Sequence, residues 1–110
     1  MTGLKTYGAV LLAGLMLMGC GPDDETLFFD GQFYRSNAKK DGERHEFRAT
    51  AKPVSASLAG AREAARYEGI AYCVRNYGSS DIIWVTDPEA PEEELLIDRD
   101  TLTLRGACPL

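Results

Sequence analysis

From Arg44 to Lys52 the side chains alternate with a period of two. His45, Phe47, Ala49 and Ala51 fall on one side, and Glu46, Arg48, Thr50 and Lys52 on the other. Successive side chains of an extended chain point to opposite faces, so this pattern specifies a strand with one dry and one wet surface. Upstream, Leu27 to Lys40 mixes aromatic and polar residues in loose alternation, including Phe28, Phe33 and Tyr34. This stretch reads as a strand with a possible interruption at Asp30-Gly31. Asp41-Gly42 is a turn signal, so the two strands are expected to pair as an antiparallel hairpin that Pro53 ends.

A different period follows. Ser55 to Tyr77 is rich in alanine and reads as the one helix, with Ser55 or Ser57 as N-cap and Gly78 just past its end. At about 100° per residue, Leu58, Ala61, Ala65 and Tyr72 share one side. Tyr67, Ile70, Ala71 and Val74 fall on an adjoining side, and Arg62, Glu63 and Arg66 lie away from both. Gly60 and Gly69 weaken such a helix unless they permit close packing on a sheet. Asp81 to Thr86 is short, β-branched and aromatic and reads as a strand. Leu95-Leu96-Ile97 is a brief apolar segment, Arg99-Asp100 a turn, and Thr101 to Arg105 a last alternating strand. The expected order is β-β-α-β-β. It describes a small α+β domain with a four-stranded, mainly antiparallel sheet and one helix packed on one face. No internal repeat and no second domain is evident.

The start of the chain reads differently. Lys5 precedes a continuous run of apolar or small residues from Ala9 to Met18, which ends at Leu17-Met18-Gly19-Cys20. The run is about half the length needed to cross a bilayer, and a basic start with a small-residue end reads as a secretory signal. Leu17, Gly19 and Cys20 resemble the lipobox of bacterial lipoprotein precursors. The resemblance implies diacylglyceryl modification of Cys20 on sulfur and cleavage before it, with residues 1–19 as signal peptide. Residues 20–26 are then the lipidated cysteine and a short polar tether, and 27–110 the domain. Lipoproteins of this kind usually carry three acyl chains, enough for firm attachment where one alone is marginal. Gly21 after the cysteine, by analogy with enteric sorting, favours the periplasmic face of the outer membrane. The alternatives are a buried N-terminal helix in which Cys20 is a small apolar residue, and plain secretion. The stretch from Pro53-Val54-Ser55 through Tyr72-Cys73-Val74 to Ser80-Asp81-Ile82 is also similar to small uncharacterised bacterial lipoproteins, a likeness that carries no known activity.

With the signal removed, about 90 residues remain, enough for one small domain with a modest core. Loss of Lys5 leaves 11 basic against 17 acidic residues, a net charge of −6. This argues against nucleic acid as a partner. Of three cysteines, lipidation of Cys20 leaves Cys73 and Cys108 as an even pair in a compartment where disulfides persist. A Cys73–Cys108 bridge is the expected pairing. Two free buried thiols and a reactive Cys73 are the alternatives.

Candidate chemistry is sparse. His45 is the only histidine, so any histidine-based dyad or metal site must use it. Beside a turn and flanked by Arg44 and Glu46, it reads as a structural histidine. Cys73 has no Cys-x-x-Cys partner and no base close to it on the helix. Asp87, Glu89, Glu92, Glu93, Glu94 and Asp98 lack the order of a calcium loop and read as a solvated acidic loop. Arg35, Lys39, Lys40, Arg44, Arg48 and Lys52 cluster in the first hairpin. Of these, Arg48 and Lys52 suit anionic lipid headgroups or a polyanionic glycan, or serve only to keep sheet edges apart.

The expectation is a non-enzymatic, lipid-anchored interaction or accessory module of the cell envelope. Its partners are the membrane and an envelope protein, and no cofactor or metal is implied. The alternatives are a small envelope hydrolase using His45 or a carboxylate, and a ligand-binding module with a cavity beneath Ala61, Ala65 and Ala71.

Overall fold

The computed structural model describes residues 24–110. The strands are β1 (Glu25–Phe29), β2 (Gln32–Asp41), β3 (Glu43–Lys52), β4 (Ile83–Trp84), β5 (Leu96–Asp98) and β6 (Thr101–Ala107). One helix, α1 (Leu58–Tyr77), lies between β3 and β4. The α+β class and the antiparallel pairing follow the sequence, but the sheet has six strands where four were expected. Its order is β1-β2-β3-β6-β4, with β5 also on β6. β4 and β5 lie end to end along the far edge of β6, opposite Gly106–Ala107 and Thr101–Thr103 respectively.

The first extra strand arises at Asp30-Gly31. Both residues have positive φ (51° and 73°), and Phe29 pairs with Gln32 across them. Two consecutive left-handed residues make the tight primed turn that suits strand twist, so the chain reverses there instead of pausing. β1 accordingly begins at Glu25, two residues inside the expected tether. Arg99 and Asp100 (φ 52° and 62°) make the same kind of turn between β5 and β6. The strand expected over 81–86 contracts to Ile83–Trp84. Beyond it, the Val85 and Thr86 N–H groups both donate to the Arg105 carbonyl, which ends the ladder before Asp87-Pro88.

Sheet and helix meet through small residues. The inward row of β3 (Phe47, Ala49, Ala51) and that of β6 (Leu102, Leu104) are buried against Ala61, Ala64, Ala65, Tyr72 and Cys73 of α1. The Ser57 hydroxyl caps the helix at the Gly60 N–H (3.1 Å), and Gly78 closes it with φ 71°. Tyr67 and Val74, on the adjoining side, are 46% and 47% exposed. The buried stripe of α1 is narrower and smaller in side chain than its hydrophobicity suggests.

Gly60 and Gly69 set the helix–sheet distance. A Cβ at Gly60 would sit 2.2 Å from the Tyr34 hydroxyl, which donates to the Ser57 carbonyl at 3.0 Å. A Cβ at Gly69 would meet the Phe47 ring at 2.7 Å. Phe47 also lies edge-on to Trp84, with ring centroids 5.6 Å apart. Gly60→Ala is therefore expected to destabilise the domain. Overpacking costs about 1–3 kcal/mol, and better helix propensity returns up to about 1 kcal/mol. Urea unfolding checks this; an unchanged or raised midpoint would contradict the close approach.

Cys73 and Cys108 are joined by a disulfide, with Cα atoms 5.4 Å apart. It fastens the last turns of α1 to the end of β6, and the Cys108 N–H continues the sheet by donating to the His45 carbonyl at 2.7 Å.

Candidate functional site

The residues singled out from sequence scatter over the fold. Cys20 and the segment before it lie outside the described residues. His45 is half-buried at the start of β3, and its side chain has no hydrogen bond or ion pair among the described residues. Cys73 is fully buried within the disulfide. The acidic loop is held by the helix: Arg62 donates to the Pro88 and Ala90 carbonyls, and Arg66 pairs with Glu89 at 2.9 Å. Among the described residues no three His, Cys, Asp or Glu side chains are grouped to hold a metal ion.

The basic residues of the first hairpin separate. Lys40 shares the side of Phe47, toward the helix, and Arg44 stacks on the Tyr77 ring, 5.5 Å from its centroid. Arg35, Lys39, Arg48 and Lys52 are exposed on the sheet face that α1 does not cover. Register sets them in rows. Lys39, Arg48 and Arg105 lie opposite one another across β2, β3 and β6, and Thr26, Arg35 and Lys52 across β1, β2 and β3. Like charges directly opposite repel unless an acid lies between them. The first row has such an acid: Asp41 meets Arg105 at 3.0 Å and Arg48 at 3.7 Å. In the second row, Arg35 and Lys52 have no ion pair among the described residues. Between the rows Asn37 accepts from the Thr50 hydroxyl and donates to Asp24. Arg105 was not among the sequence candidates, because only the register of β6 against β3 places it in this cluster.

A second feature lies on the helix side. Glu68 is only 2% exposed, and its carboxylate accepts from the Ser36 hydroxyl at 3.3 Å. Burial, followed by the hydrogen bond and the charge of Glu25, pushes its pKa up to about 7; Ser36 and Arg75 pull weakly the other way. Glu68, Tyr72 and Arg75 form one wall of a groove of about 550 Å³, with Glu25 and β2 residues 37–40 as the other. Sequence reasoning passed over Glu68. The signal was present, since position 68 fills the gap in the helical stripe Leu58, Ala61, Ala65, Tyr72. A carboxylate on a stripe of small apolar residues is forced against the sheet.

Two arrangements are thus available. One is a broad, cationic sheet face, and the other a narrow groove with a carboxyl poised near neutrality. No family model, curated protein or solved structure matches the chain.

Proposed function

We propose that this protein is a lipid-anchored module of the cell envelope, acylated at Cys20, exposed on the periplasmic side, and without catalytic activity of its own. Its uncovered sheet face is the contact surface. The observation that supports this is the excess of Arg35, Lys39, Arg48, Lys52 and Arg105 over Asp41, Glu46 and Asp98 on one face of a chain whose net charge is −5. A cationic excess on one face of an acidic body steers that face toward an anionic surface. Cys20 is four residues from Asp24, a reach of at most about 14 Å, so the anchor holds the domain against its membrane. The buried disulfide is in keeping with an oxidising compartment.

Membrane fractionation tests the reading. Wild-type chain is expected in the membrane fraction with a diacylglyceryl mass at Cys20, and Cys20→Ser is expected to move it entirely to the soluble fraction. Intact, unacylated wild-type chain in the cytosol would sink the proposal.

One observation favours a second reading. A carboxyl titrating near neutrality beside another carboxyl, in a groove, is the raw material of general acid–base catalysis in a small envelope hydrolase. Under that reading Glu68→Gln abolishes function with the fold intact. Under the first it leaves function standing.

A further inference from the structure

At the tip of the β1–β2 hairpin two large apolar side chains face solvent. Phe28 is 58% and Phe33 66% exposed, and their rings pack together with centroids 4.8 Å apart. They occupy the same sheet face as the Thr26–Arg35–Lys52 row, two residue pairs further along the hairpin. Between them the surface sinks into a hollow of about 300 Å³ lined by Thr26, Phe33, Arg35, Lys52, Pro53 and Asp100. The acids nearby are already engaged. Asp100 accepts from the Ser55 N–H (2.8 Å) and hydroxyl (2.7 Å), and Asp30 accepts from the Ser57 hydroxyl.

Two separate costs therefore meet at one place. Arg35 and Lys52 repel across adjacent strands, and an aromatic pair stands in water. A single ligand class relieves both, namely an anionic headgroup with apolar matter attached. We infer that this hollow is a docking site for an anionic phospholipid of the membrane surface. The headgroup phosphate lies between the Arg35 guanidinium and the Lys52 ammonium, and the Phe28 and Phe33 rings enter the interface between headgroups and acyl chains. Guanidinium and ammonium groups are the ordinary phosphate partners, and aromatic rings beside cations are the usual furniture of a membrane interface. The inference deepens the envelope reading and rests on it for the choice of a membrane over a soluble phosphate. β1 starts five residues after Cys20 and ends at this tip, so the acyl anchor and the tip are close along the chain.

The test uses the chain from position 20 with Cys20→Ser, which contains every described element but has no acyl anchor. It is sedimented with vesicles of phosphatidylcholine alone or mixed with phosphatidylglycerol. Binding is expected only to the mixed vesicles and is expected to weaken as salt is raised. Each surface cation adds about fivefold, so Arg35→Ala with Lys52→Ala is expected to lower affinity about 25-fold. Phe28→Ser with Phe33→Ser is expected to remove the binding that survives raised salt. All four side chains are exposed, and unchanged urea midpoints verify that the variants fold. Equal binding to both vesicle types, or undiminished binding by the cation variant, would overturn the site. So would full displacement by soluble glycerol phosphate at equal phosphate concentration. None of these outcomes bears on acylation of Cys20, which the fractionation experiment reads separately.

Discussion

Removing the Cys73–Cys108 bridge is expected to lower the stability of the domain by about 3–4 kcal/mol, the chain-entropy value for a loop of this length. Few single covalent changes weigh more in so small a fold. Of the thirteen buried hydrophobic residues among those described, five are alanines (Ala49, Ala51, Ala61, Ala64, Ala65), each contributing little apolar surface to the core. A domain of this size has an unfolding free energy of only about 5–10 kcal/mol, so the bridge accounts for a large share of it. It also joins the two parts that local sequence does not hold together: the end of α1 and the end of the chain beyond β6. The suitable variant is the double change Cys73→Ala with Cys108→Ala, because serine would leave a hydroxyl buried at positions 0% and 1% exposed. Urea unfolding of this variant should show a lower midpoint. In the chain-entropy picture it should also show a slightly larger m-value, since the unlinked unfolded chain exposes more surface. Wild type treated with dithiothreitol should resist reduction until it opens. A stability loss under about 1 kcal/mol, or two thiols titrating in the purified oxidised protein, would contradict the bridge.

Local patterning made much of this fold readable and packing hid the rest. Arg44 to Lys52 alternates because one face of β3 lies under the helix and the other is open, and from Phe47 to Lys52 burial follows the alternation residue by residue. Ser57 and Gly78 bound α1 as their chemistry requires. The errors share a cause. Asp30-Gly31 looks the same in sequence whether it bends one strand or reverses the chain, and only the partner register decides. Tyr67 and Val74 are larger than alanine or glycine, yet the sheet accepts alanine and glycine, because Tyr34 and Phe47 already fill the space between the layers. Ala61, Ala65 and Tyr72 of the expected side are buried, and only the adjoining side, with Tyr67 and Val74, reaches solvent. The cationic face was legible as a composition of the first hairpin. Its division into an Asp41-bridged row and an unbridged one needed the pairing of β2, β3 and β6.

Glu68→Gln is expected to stabilise the protein above neutral pH and to flatten its pH dependence. The folded-state pKa is about 7 against an ordinary value of 4.5, so between these limits the folded protein holds a proton that the unfolded chain has released. Stability therefore rises as pH falls through about 7 and levels off below about 4.5. Above 7 the deprotonated carboxylate carries the full cost of its burial beside Glu25. A shift of this size corresponds to about 3 kcal/mol between the two plateaus. The groups facing Glu68 explain the sign. Glu25 of β1 repels the charged form and Ser36 of β2 supports it weakly with one hydrogen bond, while Arg75 of α1 offers the smallest attraction. Glutamine has the size of the protonated acid, and its amide can donate to the Glu25 carboxylate and accept from the Ser36 hydroxyl, so the variant keeps the hydrogen bonds without the charge. Urea titrations at pH 5 and pH 8 should show wild type weaker at the higher pH and the variant nearly equal at both. Glu25→Gln should act in the same direction and more weakly, because burial, not Glu25, is the larger cause. A wild type equally stable at both pH values, or a variant weaker than wild type at pH 8, would show that Glu68 is held by stronger partners than those seen. A variant that gains stability at pH 8 while losing all function is the pattern of a strained catalytic acid, and it would shift the functional reading from the open sheet face to the groove.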